Sequence, residues 1–174
     1  MLSSPSLRHS LHRLVFRLVT LILCAAASPH AFAQPGDVSV NLTANKVVVA
    51  DDGKKESIEP AAKARPGDLI EYDAVYRDAS KATVRNLQAT VPVPQGLAFV
   101  AESAKPADAL ASVDGKNFEP IPLMREVKKA DGTTEKQAVP LSEYRALRWT
   151  IFELPSGASE TVSLRARVLT NPGK

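Results

Sequence analysis

The chain has 174 residues, with 22 Lys+Arg, 19 Asp+Glu and a single cysteine. All three histidines (His9, His12, His30), the cysteine (Cys24) and three arginines fall within the first 33 residues. Beyond that point 19 basic residues face 19 acidic ones, and neither His nor Cys occurs. This composition excludes disulfides, the usual zinc and copper ligands and any histidine-activated nucleophile. A formal charge of zero gives no reason to expect nucleic acid or anionic lipid as a partner.

The first 33 residues read as a cleaved signal peptide. Arg8, Arg13 and Arg17 precede an apolar run from Leu18 to Ala27, and Ala31-Phe32-Ala33 has the small-x-small pattern read by signal peptidase, with cleavage before Gln34. The run is shorter than the roughly 20 residues of a membrane span. Cys24 follows the large Leu23, which does not suit a lipid-attachment site. The expected product is residues 34–174, a length that suits one domain. It would be periplasmic or extracellular, with no stable membrane span after cleavage.

The product's elements follow in order. Val38 to Ala50 is rich in β-branched residues and predicts an opening strand, broken near Thr43 to Asn45. Asp51-Asp52-Gly53 is a turn, and Ser57 to Arg65 is expected to be a crossing loop with little regular structure. Leu69 to Arg77 alternates, with Ile70, Tyr72, Ala74 and Tyr76 on one face and Glu71 and Asp73 on the other. A polar turn over 78–82 leads into Thr83 to Val93, and the two runs read as a hairpin. Pro92 and Pro94 remove backbone donors, so this strand ends there or lies at an edge. Gly96 allows the turn into Leu97 to Val100.

Leu110 to Val113 and Phe118 flank Asp114-Gly115, the pattern of a tight hairpin turn. Met124 to Lys128 and Lys136 to Val139 flank Asp131-Gly132 and predict a projecting hairpin arm, polar on both faces. Leu141 to Tyr144 suits one helical turn. Leu147, Trp149 and Ile151 share a face, and after Pro155-Ser156-Gly157 the last strand turns Val162, Leu164, Ala166 and Val168 inward. Many short strands between Gly, Pro and Asp turns predict an all-β antiparallel sandwich.

Pro66-Gly67-Asp68, Ile70-Glu71-Tyr72, Asn86-Leu87, Val93-Pro94 and Gly96-Leu97-Ala98-Phe99-Val100 occur in an order that resembles the conserved-repeat, immunoglobulin-like domain of bacterial surface and secreted proteins. Trp149, the Gly157 to Ser159 turn and the Val162 to Val168 strand fit the end of that pattern. Asp78 stands where the family has a turn asparagine, Ser80 where it has a turn glycine, and Val91 where it has an acid. The resemblance covers about half of residues 34–174 and leaves Ala101 to Ala146 outside. It implies an immunoglobulin-like sandwich, a bacterial source and no particular activity.

Candidate chemistry is sparse. Asp51-Asp52-Gly53 and Asp114-Gly115-Lys116-Asn117 carry clustered oxygen ligands but lack calcium-loop spacing, and Asp-Gly is ordinary turn chemistry. Glu71 and Asp73 could form a glycosidase carboxylate pair, yet they sit on a solvated face beside Arg77. Serine–lysine chemistry at Ser57 or Ser142 has no supporting motif. Trp149, Tyr72, Tyr76 and Phe99 fall on inward faces and read as core rather than a sugar groove, with Tyr144 the aromatic expected to be exposed. Lys63, Arg65 and the Lys128-Lys129 pair read as solvated surface. No catalytic, cofactor or metal residue is assigned. The expectation is a non-enzymatic exported module that binds another exported or cell-surface protein through strand edges, loops or the arm. A glycan or small-molecule binder is the alternative.

Overall fold

The computed structural model describes residues 38–50 and 56–170. The signal-peptide reading, with Ala31, Ala33 and Gln34, and the Asp51-Asp52-Gly53 turn lie outside the described residues.

Two antiparallel sheets face each other. The first, sheet A, has the order β2-β1-β3-β11-β5, formed by Glu56–Pro60, Val38–Val49, Leu69–Asp78, Ser159–Val168 and Leu97–Phe99. The second, sheet B, has the order β4-β10-β6-β7, formed by Val84–Pro92, Ala146–Leu154, Leu110–Ser112 and Glu119–Pro120. A separate two-stranded ribbon, β8 (Met124–Lys128) with β9 (Thr134–Ala138), is the arm, and its residues are almost all exposed. The chain is an all-β sandwich, as its alternation and turn spacing predict. The cluster between the sheets draws Ala74 and Tyr76 from β3, Ala89 and Val91 from β4, Leu147 and Trp149 from β10, and Val162 and Leu164 from β11. Each alternates with an outward neighbour, as a pleated strand with one buried face requires.

Five local expectations change. The run from Leu69 to Val93 is not a hairpin: β3 and β4 belong to different sheets, and the turn at 79–83 is an arch between them. Both strands have one buried face, and only opposing sheets bring those two faces together. β1 is continuous through Thr43 to Asn45, because Leu42 to Asn45 pair in register with Ala74 to Glu71 of β3. The stretch expected as an irregular crossing loop contains β2 and a turn of 3-10 helix at Ala61–Lys63. Pairing against the β-branched Val47 to Val49 organises that polar segment. The Asp114-Gly115 connection is a six-residue loop between β6 and the two-residue β7 rather than a tight turn.

Tyr144 is the fifth. It is fully buried, its ring stacked on Phe99 with centroids 5.8 Å apart, and its hydroxyl accepts the Leu123 N–H at 2.9 Å. The loop carrying Tyr144 closes one end of the core. Its polar tip is satisfied by the backbone at the base of the arm, so the ring can be buried without stranding the hydroxyl.

Candidate functional site

A sandwich exposes strand edges, and an unprotected edge offers a row of unpaired N–H and C=O groups. The two sides of this sandwich treat their edges differently.

On one side lies β4, which pairs only with β10. Val93 N–H donates to Arg145 C=O at 2.8 Å, so alternate residues of β4 bond toward β10 and the others, among them Thr90, Gln88 and Asn86, point away from it. Several of these outward groups are closed. Pro92 has no N–H to offer. Tyr76 crosses from the other sheet and takes both polar groups of Thr90, accepting from its N–H at 2.8 Å and donating to its C=O at 3.1 Å. The Gln88 side-chain amide donates to Asn86 C=O at 3.4 Å, and Asn86 itself has φ +53°, which breaks the straight run of the edge. The expectation that the Pro92 strand ends there or lies at an edge is met.

On the other side the covering strands are short. β6 pairs with β10 only at Ala146 to Arg148, and β5 pairs with β11 only at Ala166 to Val168. Lys105 adds one step by exchanging N–H and C=O bonds with Ser163 at 2.8 Å each. Past these contacts, Thr150 and Phe152 direct their backbone groups away from β4 into open space, with no backbone partner there among the described residues. An open groove of about 280 Å³ lies alongside. Trp149, Ile151, Val162 and Pro106 contribute its apolar lining, and Asp108, Glu160 and the Arg85-paired Glu153 contribute carboxylates. Phe152 lies 70% exposed at its lip.

Trp149 itself is core. It is 2% exposed and its indole N–H donates to Pro106 C=O at 2.7 Å. Phe152 is the site residue the sequence reading passed over. Its signal was available: an aromatic on the face of β10 opposite Leu147, Trp149 and Ile151, where alternation calls for a polar residue.

Glu71 and Asp73 share the outward face of β3, and Glu71 is engaged there by a guanidinium. The Arg165 guanidinium donates from Nε to Glu71 at 2.6 Å and from its two terminal nitrogens to Glu56 at 2.9 and 2.7 Å. These bonds hold the Glu56 carboxyl below its usual range and hold Arg165 in its charged form. Asp73 is pushed up, first by partial burial and then by the negative Glu71 beside it. The two carboxylates thus differ in environment.

Asp114 spends its oxygens on its own loop. Oδ1 accepts from Ser112 Oγ, Lys116 N–H and Asn117 N–H at 2.8 Å each, and Oδ2 accepts from Asn117 Nδ2 at 2.7 Å. These bonds hold its carboxyl well below the usual carboxylate range. That is turn chemistry, and no group of three or more potential metal ligands occurs among the described residues.

No protein-family model matches the chain, and neither a curated protein nor a solved structure matches it.

Proposed function

We propose that this chain is an exported, non-enzymatic structural or protein-interaction module with an immunoglobulin-like sandwich. It accepts an extended segment of another exported or cell-surface protein along the open edge of β10. The observation that carries this reading is the uneven protection: β4 has its outward groups at Thr90 and the Asn86 C=O engaged and no N–H at Pro92, while Thr150 and Phe152 stay open beside an apolar groove. A partner strand gains main-chain hydrogen bonds at such an edge and side-chain pockets beside it. The carboxylates of Asp108 and Glu160 favour a segment carrying Lys or Arg, while Glu153 is paired with Arg85. The leader-like first 33 residues support export.

The test is a library of extended peptides alternating apolar and basic residues, screened against the full chain with amide hydrogen exchange as the site readout. Binding should protect the Thr150 and Phe152 amides. Thr150→Pro removes an outward N–H without touching the β4 ladder, and it should abolish binding, as should Phe152→Glu. Absence of any peptide or exported protein that protects these amides overturns the reading. N-terminal sequencing of the exported product should begin at Gln34, and a product retained unprocessed would remove the export half of the proposal.

A second reading rests on the exposed Phe152 ring beside carboxylates, an arrangement that also suits a sugar or small molecule. Such a ligand would be lost with Phe152→Glu but kept with Thr150→Pro.

A further inference from the structure

A second edge is open, and it does not depend on the β10 groove. β2 covers β1 only from Asn45 to Val49, and directly after its last residue, Pro60, the chain turns into the 3-10 helix at Ala61–Lys63. Val38 to Ala44 therefore pair with β3 on one side and with no described residue on the other. Their sequence, Val-Ser-Val-Asn-Leu-Thr-Ala, contains no charge, no proline and no glycine. Natural edges are guarded by such residues, and this one is not.

The side chains add a second fact. Val40 lies opposite Tyr76 and Leu42 opposite Ala74, so both face the same side as the core. Yet Val40 is 54% and Leu42 44% exposed, because sheet B ends at β4, which packs over β3 and β11 and leaves the inner face of β1 uncovered at these two residues, while Val38 packs against the core.

We infer that this edge pairs with the same edge of a second copy of the chain, antiparallel and about a two-fold axis through Asn41. The segment is its own complement in that register. Val38 meets Ala44 of the second copy and Val40 meets its Leu42, all on the inner face. Ser39 meets Thr43, and Asn41 meets Asn41, all on the outer face. A shift by one residue would set each apolar side chain against a polar one, so the pattern selects the register. The contact is isologous, as a two-fold interface must be, and the segment's lack of charge means no like charges oppose each other. A strand of a different protein would need a matching seven-residue pattern, whereas a second copy supplies it without further assumption.

Sedimentation velocity on the full chain, expressed with its own N-terminal segment, tests the contact across protein concentrations. The expected result is a reversible shift from one chain mass to twice that mass. Val40→Lys with Leu42→Lys places lysine opposite lysine at both pairs and should leave only monomer. Val40→Lys with Leu42→Glu places lysine opposite glutamate twice and should restore a dimer that weakens with salt. Both side chains are about half exposed, and an unchanged circular dichroism spectrum shows the fold is kept. A wild type that stays monomeric at every concentration overturns the inference. So does a folded lysine pair that still dimerises, or a Lys/Glu variant no better than the Lys/Lys one. Failure here leaves the β10 reading standing, because peptide protection at Thr150 and Phe152 is read on the opposite side of the sandwich.

Discussion

The hydroxyl of Tyr76, on one sheet, holds both main-chain polar groups of Thr90, on the other, at 2.8 and 3.1 Å. A single side chain thus ties the sheets together and removes a pairing step from an exposed edge. Tyr76→Phe keeps the ring in the core but strands the Thr90 N–H and C=O. It should cost about 1–3 kcal/mol in urea unfolding. It should also raise the tendency to associate through β4, seen as larger species in light scattering. A variant as stable and as soluble as the wild type would show that the hydroxyl contributes nothing to either.

The Tyr144 hydroxyl and the Leu123 N–H make a comparable tie at the root of the arm. Tyr144→Phe leaves that buried N–H without its partner, at an expected loss of about 1–3 kcal/mol by chemical denaturation. Removing Val127 to Gln137, and rejoining the ends with a short turn, should leave the thermal midpoint unchanged. The root stays closed by Leu123 and Val139, both under a tenth exposed, and by the Val139 N–H bond to Leu123 C=O at 2.8 Å. Unfolding after that deletion would make the arm part of the core.

Asp114 gives the fold an acid-sensitive loop. Its folded carboxyl sits below the 3.8 of the unfolded chain, held down chiefly by the Asn117 and Lys116 N–H groups. A depressed carboxyl contributes stability that is fully present above the unfolded value and is lost as pH falls toward the folded one. Asp114→Asn should therefore lower the thermal midpoint at pH 7. The gap to the wild type should narrow below about pH 4. A gap independent of pH would place the effect in geometry rather than charge.

Asp78 is fully buried, and only one of its carboxylate oxygens is used, accepting the Ser80 N–H at 2.7 Å. The other oxygen has no hydrogen-bond partner among the described residues. Asp78→Ala removes the acceptor of the Ser80 N–H and should cost about 1–2 kcal/mol. Equilibrium unfolding of the two proteins decides this, and an unchanged stability would show that the bond contributes nothing.

Local chemistry in the chain determined the sheet-forming segments. The alternation of Ile70, Ala74 and Tyr76, or of Val162, Leu164 and Ala166, can satisfy only a half-buried strand, and Pro92 can only end a ladder or lie on its edge. The arm, too, was legible from its Asp-Gly turn between polar runs. What composition excluded for residues 34–174, namely disulfides and histidine chemistry, needed no coordinates.

Partnership was decided only in three dimensions. The hydrophobic period says that a face is buried, not against what, so β3 and β4 read as a hairpin until their buried faces were found in opposing sheets. Tyr144 looked like a loop residue because its neighbours in sequence are polar, while the Phe99 ring and the Leu123 N–H that bury it lie 45 and 21 positions away. The candidate groove was hidden for the same reason. Its floor and rim come from β10, β11 and the loop after β5, and its openness depends on how far the short β5 and β6 happen to reach.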